Sequence, residues 1–407
     1  MEEISNYFVL PVVAIALIAV SFAAPLSGVE AKAHRYSTID GLRGYLATFV
    51  FLHHAATWYY FVHVQEWSYE PTKLYLHFGS TSVALFFMIT SFLFISKLAD
   101  AMGGQVDWLK LYVSRVLRIM PLYLFAIVVL FLLAGMISGF ILAVPVRHLL
   151  TDAGRWLLFM EPEINGVPGT RYIISGVQWT LAFECLFYCS LPFMALLFFR
   201  IKSPLVLFLT AGICMAIFVY VIFTSYPERA WYGIAQFGGG IPAAFLQRSP
   251  RVRRFCSRFW MAPILILICY FVLSRYKSIL APLPFLGVTV VFTFIACGNS
   301  LFGLLTIRAS RLLGQVSYSV YLLHGLLLYC GFKFVLGFPL GRRLTPLGHW
   351  VAMTGFCIML MVLASLSYRW IEQPCINVSG RAAKSLRRRF KKQTGPFGRA
   401  TEVNQSL

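Results

Sequence analysis

The apolar stretch LRGYLATFVFLHH, residues 42–54, carries an arginine near its start and two adjacent histidines at its end. Ionisable groups at bilayer depth are costly, and they therefore pair, line a cavity or take part in chemistry. On a helix, eleven residues turn through about 1100°, which is within about 20° of three full turns. Arg43 and His54 are therefore predicted to share one face, about 16 Å apart. His53 points about 100° away and is interpreted as structural.

Two further ionisable groups lie inside apolar runs. Of the fifteen acidic residues, Glu184 in QWTLAFECLFY lies deep in such a run, and His324 lies in SYSVYLLHG. Their positions on helices that enter from opposite faces put both at depths of about 12 Å, where they are expected to meet His54. Each residue has an alternative structural interpretation, a packing hydrogen bond, which for Glu184 would join a Trp or Tyr side chain.

A second basic pair, Arg115 and Arg118, lies in SRVLRIMPLYL. Spacing of three residues places both guanidinium groups on one face of a helix, and arginine is suited to bidentate contacts with phosphate. Together with Arg43, the pair predicts a site for a phosphate-bearing cytosolic ligand. The alternative is that these arginines only anchor the helix at the cytoplasmic surface.

The composition indicates which elements position these residues. The chain is 59% hydrophobic and 12% charged, with a mean hydropathy of +0.75, which predicts an all-α polytopic membrane protein. The apolar runs are long and continuous, unlike the short alternating segments of a membrane barrel. About eleven transmembrane helices are expected, at residues 7–25, 44–62, 79–96, 120–141, 177–198, 204–223, 230–247, 260–274, 283–305, 316–336 and 349–370.

The distribution of basic residues predicts the orientation. With the N-terminus outside, 25 of the 35 Lys and Arg residues fall on the inner side, as expected for short cytoplasmic loops. The first run follows the acidic MEEIS, which favours a retained span over a cleaved signal peptide. We therefore expect a multi-pass protein of the cell (inner) membrane, with a cytoplasmic C-terminal tail.

The net charge of +20 is concentrated on the inner side and in the tail. This favours contact with anionic membrane lipids over nucleic-acid binding. The tail, residues 376–407, is predicted to be disordered. The nine cysteines show no spacing that suggests a disulfide framework or a metal site, so no metal is expected.

Six segments, in order, resemble the acyltransferase type 3 family of integral-membrane O-acyltransferases. They are IDGLRGYLATFVFLHH, RVLR, its continuation RIMPLYL, WTLAFECLFY, SYSVYLLH and YRWIEQP. The resemblance covers roughly residues 35–375 and implies a ten-helix acyltransferase core. The expected domain organisation of the chain is an extra N-terminal helix and linker at 1–34, the acyltransferase domain at 35–375 and the tail at 376–407. Thr90 and Ser91 replace the family's Ser-Gly, which puts close helix approach there in doubt.

The resemblance implies transfer of an acetyl group from cytoplasmic acetyl-CoA to a hydroxyl of a cell-surface glycan, such as polysaccharide or lipopolysaccharide, or of a lipid-linked sugar. A neutral imidazole can take the hydroxyl proton as the oxygen attacks the thioester. The implied roles are His54 and Glu184 in catalysis, Arg43, Arg115 and Arg118 at the donor phosphates, and Trp179, Tyr188, His324 and Ser317 as substrate or supporting contacts.

Other functions fit parts of this pattern. A transporter of an anionic metabolite or glycolipid would also place Arg at its mouth and His or Glu at mid-membrane, but repeated halves and broken helices are not evident in the sequence. A membrane scaffold would not need Arg43 and His54 in register. A succinyl or other acyl donor is a further alternative.

The outer aromatics Trp58, Tyr59, Tyr60 and Trp67 could stack on sugars or form an interfacial belt.

Overall fold

The structure, a computed structural model, describes residues 4–28, 35–67, 72–102, 104–201 and 203–393. Within these ranges it is helical, with no strand beyond one isolated bridge, which confirms the all-α class. The helices are α1 Val9–Ser27, α2 Ser37–Val64, α3 Lys73–Asp100, α4 Trp108–Ile137, α5 Val146–Leu157, α6 Trp179–Phe199, α7 Leu205–Ser225, α8 Ala230–Gln236, α9 Ile241–Leu246, α10 Pro250–Cys256, α11 Met261–Arg275, α12 Pro282–Ala296, α13 Arg308–Gln315, α14 Ser317–Cys330, α15 Phe338–Gly341, α16 Pro346–Ser367 and α17 Gln373–Gln393.

Seven of the described helical segments are long and apolar enough to cross a membrane. The number rises to eight if α10 and α11, which are bent by 72°, form one span. The protein is thus a polytopic helical membrane protein, but the expected count of eleven is not confirmed. The arginine and three histidines of α2 lower its hydropathy, α12 has only 15 residues, and the predicted run 230–247 is divided.

The divided run contains the sequence FGGG. A 3-10 turn, Phe237–Gly240, separates α8 from α9. A Cβ atom at Gly240 would overlap the Met88 carbonyl oxygen and the Ser91 hydroxyl of α3, so only glycine lets the turn lie directly on α3. Close approach therefore does occur at the Thr90-Ser91 position, with the glycine supplied by the opposite segment.

The first turns of α2 lie directly against α13 because glycines remove the side chains between them. A Cβ at Gly44 would lie 2.8 Å from the Gly314 backbone nitrogen, and one at Gly314 would overlap the Asp40 carbonyl oxygen. The Tyr45 hydroxyl lies 2.8 Å from the Ser310 hydroxyl across the same contact. This packing holds the basic end of α2 beside the start of α14.

The N-terminal helix α1 packs along α16. Its lead-in segment is also tied to the bundle, because the Tyr75 hydroxyl donates to the Ser5 carbonyl at 3.0 Å and Thr72 donates to the Asn6 side chain at 3.0 Å. The additional helix is therefore part of the packed structure.

The C-terminal segment differs from the expectation of disorder after residue 376. A π-helical turn, Tyr368–Glu372, joins α16 to α17, and α17 packs along α4. Arg387 donates to Asp107 at 2.6 Å. A helix that continues an existing one needs no new nucleus, which explains why this polar sequence is helical through Gln393. Residues 394–407 lie outside the described residues.

Hydrogen bonds group the loops into two ends of the bundle. At one end, Asp100 pairs with Arg35 at 2.6 Å and with Arg248 at 3.2 Å. At the other end, the His77 side chain lies 2.8 Å from the Tyr276 carbonyl oxygen, and Lys73 donates to the Ser274 carbonyl. This grouping agrees with the loops that the charge distribution assigns to common sides.

Candidate active site

A cavity of about 680 Å³ lies among α2, α3, α4, α6, α14 and α17. Aromatic and aliphatic side chains of α3 form much of its wall. The acidic and basic side chains among its described lining residues are Asp40, Arg43, Arg115, Arg118 and Glu184. Three of these groups are cationic and two are acidic, so the cavity has an excess of positive formal charge.

The three arginines that the sequence singles out line this one cavity. Arg115 and Arg118 come from the same face of α4, as their spacing predicts, and the Arg115 guanidinium lies 5.3 Å from the centre of the Phe94 ring. None of the three forms an ion pair with a carboxylate of the described residues. Such guanidinium groups are well placed to bind an anion.

Glu184 projects into the same cavity and accepts two hydrogen bonds. The Tyr188 hydroxyl donates to one carboxyl oxygen at 2.9 Å, and the Thr90 hydroxyl donates to the other at 3.3 Å. The sequence left two alternatives for Glu184, a packing hydrogen bond to an aromatic side chain or a place in a site. In the structure, Glu184 both accepts a hydrogen bond from Tyr188 and lines the cavity. Glu184 and Tyr188 line the cavity together with the arginines, whereas His54 is not among its described lining residues.

His54 and His324 form a stacked pair, with ring centroids 5.1 Å apart and planes 28° apart. Among the described residues, Nδ1 of His54 and Nε2 of His324 are buried without a hydrogen-bond partner. Nδ1 of His324 lies 3.2 Å from the Val320 carbonyl oxygen. The pair therefore offers two free ring nitrogens for proton transfer. The expected meeting of these histidines is reproduced, whereas Glu184 does not join them.

His53 has a different environment from its neighbour. Its Nδ1 lies 2.8 Å from the Tyr75 carbonyl oxygen, and its ring packs directly on Gly79 of α3. These contacts are those of a helix-packing residue, and they agree with the structural interpretation of His53.

Tyr321 and Thr180 line the cavity, and Tyr321 is the lining residue that contacts the ring of His324. The two hydroxyls lie 2.9 Å apart, and the Tyr321 hydroxyl donates to the Val177 carbonyl at 2.9 Å. The Tyr321 ring lies 6.1 Å from the ring of His324. Neither His54 nor His324 is among the described residues that line the cavity.

On the other side of the histidine pair lies an aromatic stack. The Trp67 ring is 6.2 Å from that of His54, with the planes 26° apart, and 4.7 Å from that of Tyr172, with the planes 27° apart. Trp67 is half-buried, whereas Trp58 is fully buried and stacks on Phe332. Tyr59 and Tyr60 are also buried, which leaves Trp67 as the accessible aromatic of the four proposed from the sequence.

Two other residues proposed as supporting contacts occupy different places. Ser317 lines the cavity, but its hydroxyl donates to the Gly314 carbonyl at 2.8 Å and serves the start of α14. Trp179 is not among the described lining residues. It packs edge to face on Phe183, and the Arg229 guanidinium lies 4.8 Å from the centre of its ring.

Glu372 was not recognised in the sequence as a buried group. It is 1% exposed and accepts a hydrogen bond from Ser319 of α14, which in turn accepts from Ser367 at 2.8 Å. Glu372 belongs to the quoted YRWIEQP segment, and that motif was the available signal. Glu372 ends the π-helical turn and directly precedes Gln373, which lines the cavity.

A second carboxyl group, Glu161, lies in the loop between α5 and α6. It accepts a hydrogen bond from the fully buried Gln178 at 2.9 Å. Burial raises the pKa of Glu161 above its ordinary value, although the positive charges of Arg229 and Arg171 and the bond from Gln178 oppose this shift. The single amide oxygen of Gln178, Oε1, has no partner among the described residues.

The fold and this site define a class, a helical membrane protein with a cationic cavity that ends beside a pair of imidazoles. The model of the acyltransferase domain of the type 3 acyltransferases matches residues 36–368, and the chain belongs to this family. The resemblance expected from the sequence motifs is thereby confirmed, and the protein is a membrane acyltransferase by family. No curated protein and no solved structure matches the chain.

Proposed function

We propose that the protein transfers an acetyl group from cytoplasmic acetyl-CoA to a hydroxyl of a cell-surface glycan or lipid-linked sugar. The observation that carries the proposal is the cavity in which Arg43, Arg115 and Arg118 lie without carboxylate partners in the described chain. CoA presents several phosphate charges at one end and a slender arm at the other. The arginines suit the charged end, and the apolar wall from α3 suits the arm.

The register of α2 supports a donor site and a base that lie along the same pair of helices. Arg43 of α2 lines the cavity beside the start of α14. His54, eleven residues later on α2, stacks on His324 of α14. With the phosphates at the arginines, the pantetheine arm would carry the thioester along α14 toward His54. The arm would cross part of the membrane while CoA stays on the cytoplasmic side.

In the proposed reaction, a free nitrogen of His54 takes the proton of the acceptor hydroxyl as its oxygen attacks the thioester carbon. The new C–O bond forms, the C–S bond breaks, and the imidazolium proton passes to the departing CoA thiolate. General base catalysis of this kind contributes about 10²–10⁴-fold. His324, stacked on His54, would position that ring.

The acceptor would approach from the opposite side, along Trp67 and Tyr172. Aromatic side chains pack on the apolar face of a sugar ring. Carboxylate groups accept hydrogen bonds from the sugar hydroxyls, and amide groups both accept and donate them. Glu161 and Gln178 supply such groups in the adjoining loop. This arrangement replaces the expected contact through Trp179, whose ring is covered by Arg229.

Incubation of membranes that contain the protein with radiolabelled acetyl-CoA tests the proposal. Label in the glycan or lipid-linked sugar fraction is the expected result, and label in that fraction from succinyl-CoA alone would point to the larger acyl donor. Glycan that stays unlabelled from every acyl-CoA would contradict the proposal.

A second candidate, a carrier for an anionic metabolite or glycolipid, gains one observation from the structure. The α8–α9 segment is interrupted by its glycine turn, and interrupted helices are common at carrier binding sites. Sealed vesicles separate the two functions, because a carrier would accumulate labelled solute inside without acylating a glycan.

The proposed orientation places the N-terminus outside and α17 in the cytoplasm of a cell (inner) membrane, with the basic α17 near anionic lipid. A cysteine introduced at Gly104 should resist an impermeant thiol reagent in intact cells and react in opened cells. Labelling from outside would reverse the orientation and remove the cytoplasmic donor site.

A further inference from the structure

Tyr321 lies between the lining of the proposed donor cavity and the histidine pair. Tyr321 lines the cavity, and its ring lies 6.1 Å from the ring of His324, which stacks on His54. Tyr321 and His324 are three residues apart on α14 and therefore share a face. The Tyr321 ring therefore lies on the direct line from the cavity to the histidine pair.

Hydrogen bonds hold the Tyr321 ring in this position. Its hydroxyl donates to the Val177 carbonyl at 2.9 Å and lies 2.9 Å from the Thr180 hydroxyl. Thr180 and Val177 belong to the segment that begins α6, and Glu161 and Gln178 of the aromatic side lie in and beside the same segment. A movement of this segment on acceptor binding would therefore reach the Tyr321 hydroxyl directly.

We propose that Tyr321 is a movable partition that keeps the acyl thioester away from the histidine pair until an acceptor is bound. The inference rests on the proposed acetyl-CoA-dependent function. An imidazole that activates a sugar hydroxyl also activates water, which would attack the thioester carbon. That reaction forms the C–O bond of acetate, breaks the C–S bond and returns the proton to the CoA thiolate. A closed partition suppresses this loss in the absence of acceptor.

The test compares acetyl-CoA hydrolysis without acceptor with acetyl transfer to the membrane glycan fraction, using the full chain in native membranes. Tyr321→Phe keeps the ring but removes both hydroxyl contacts. The net contribution of one buried hydrogen bond corresponds to about a fivefold change in rate, so loss of both contacts should raise hydrolysis by up to about 30-fold and lower the ratio of transfer to hydrolysis. Thr180→Val, which removes one partner and keeps the shape, should act in the same direction with a smaller rise.

Tyr123→Phe is the matched control. Tyr123 is fully buried, its hydroxyl donates to the Trp156 carbonyl at 2.6 Å, and it is not among the described lining residues of the cavity. Hydrolysis at the wild-type rate in this variant, together with a rise in Tyr321→Phe and Thr180→Val, supports the partition. Unchanged hydrolysis in those two variants, or an equal rise in Tyr123→Phe, overturns it.

The result that would contradict the proposed function differs from the result that would contradict the partition. If the wild-type protein neither binds acetyl-CoA nor transfers its acetyl group, the donor assignment itself is wrong and the partition falls with it. If the wild type transfers acetyl groups while Tyr321→Phe and Thr180→Val behave like it in both assays, only the partition is wrong.

Discussion

Two regions meet at the histidine pair, the cationic cavity and the aromatic side, and they differ in the kind of ligand that their side chains can bind. On the cavity side, three guanidinium groups line a shared space without carboxylate partners in the described chain. On the opposite side, Trp67 stacks on Tyr172 and on His54, and the Glu161 carboxyl is held by Gln178. The first region suits a polyanion and the second suits a ring with hydroxyl groups. One bundle can therefore separate two chemically unlike substrates by side.

His54 lies at the boundary of the two regions, and its loss should have the largest effect. His54→Ala should lower acetyl transfer by about 10²–10⁴-fold while acetyl-CoA binding is kept, because proton removal matters in the transition state. Transfer and binding assays on the same membranes measure both quantities. The control is His53→Asn, which can keep a bond to the Tyr75 carbonyl and should retain substantial activity. An active His54→Ala protein would return this histidine to a structural role.

A change confined to the cavity should affect the donor alone. Arg118→Lys keeps the charge but loses the planar fork, so acetyl-CoA binding should weaken roughly tenfold, while the response to acceptor stays unchanged. Arg251→Lys, on the exposed face of α10, keeps the same count of charges away from the cavity and serves as the control. Equal binding by both variants and the wild type would leave the arginines as membrane anchors.

A change confined to the aromatic side should affect the acceptor alone. Trp67→Leu removes the stacking surface, and the acceptor concentration required for half-maximal transfer should rise by up to about tenfold, with acetyl-CoA binding unaltered. Trp231→Leu alters a tryptophan of α8 that is 74% exposed and makes no contact with His54, and it should behave like the wild type. A donor-binding defect in Trp67→Leu would abolish the division between the regions.

The smallest effect is expected in the pH dependence of stability on the aromatic side. The raised pKa of Glu161 means that the folded state holds its proton more tightly than the unfolded chain does. The stabilisation is therefore present below the unfolded pKa and is lost as pH rises through the folded pKa. Glu161→Gln should flatten this decline in melting temperature between acidic and neutral pH. Glu163→Gln, an exposed neighbour, should keep the wild-type slope.

Spacing along a single helix predicted which side chains share a helix face, whereas the roles of these residues stay predictions. Arg43 and His54 both face α14, and Arg115 and Arg118 share the cavity, as the helical repeat requires. Depth in the membrane also brought His324 to His54. Glu184 failed to join them because depth fixes a residue's height and leaves the direction of its side chain free.

The sequence could not reveal features that depend on contacts between helices. The closing position of Tyr321 is set by hydrogen bonds to Val177 and Thr180 on another segment, and no periodicity records that contact. The sequence around Glu372 is typical of the polar end of a span. The helix continues into α17, however, and Glu372 is buried. The break at Phe237–Gly240 escaped detection because apolar residues surround the glycines and keep the hydropathy high.

The unbroken helical course of α16, the π turn and α17 has a mechanical consequence. Pro346–Arg389 spans 44 residues, about 66 Å, which is roughly twice the 30 Å hydrocarbon thickness of a bilayer. A rod of this length acts as a lever whose aqueous arm is tied to the start of α4 by Arg387 and Asp107. Gln373 and Ile376, near its fulcrum, line the cavity. A displacement of the C-terminal part of this rod would therefore also move the part of the cavity wall that Gln373 and Ile376 form.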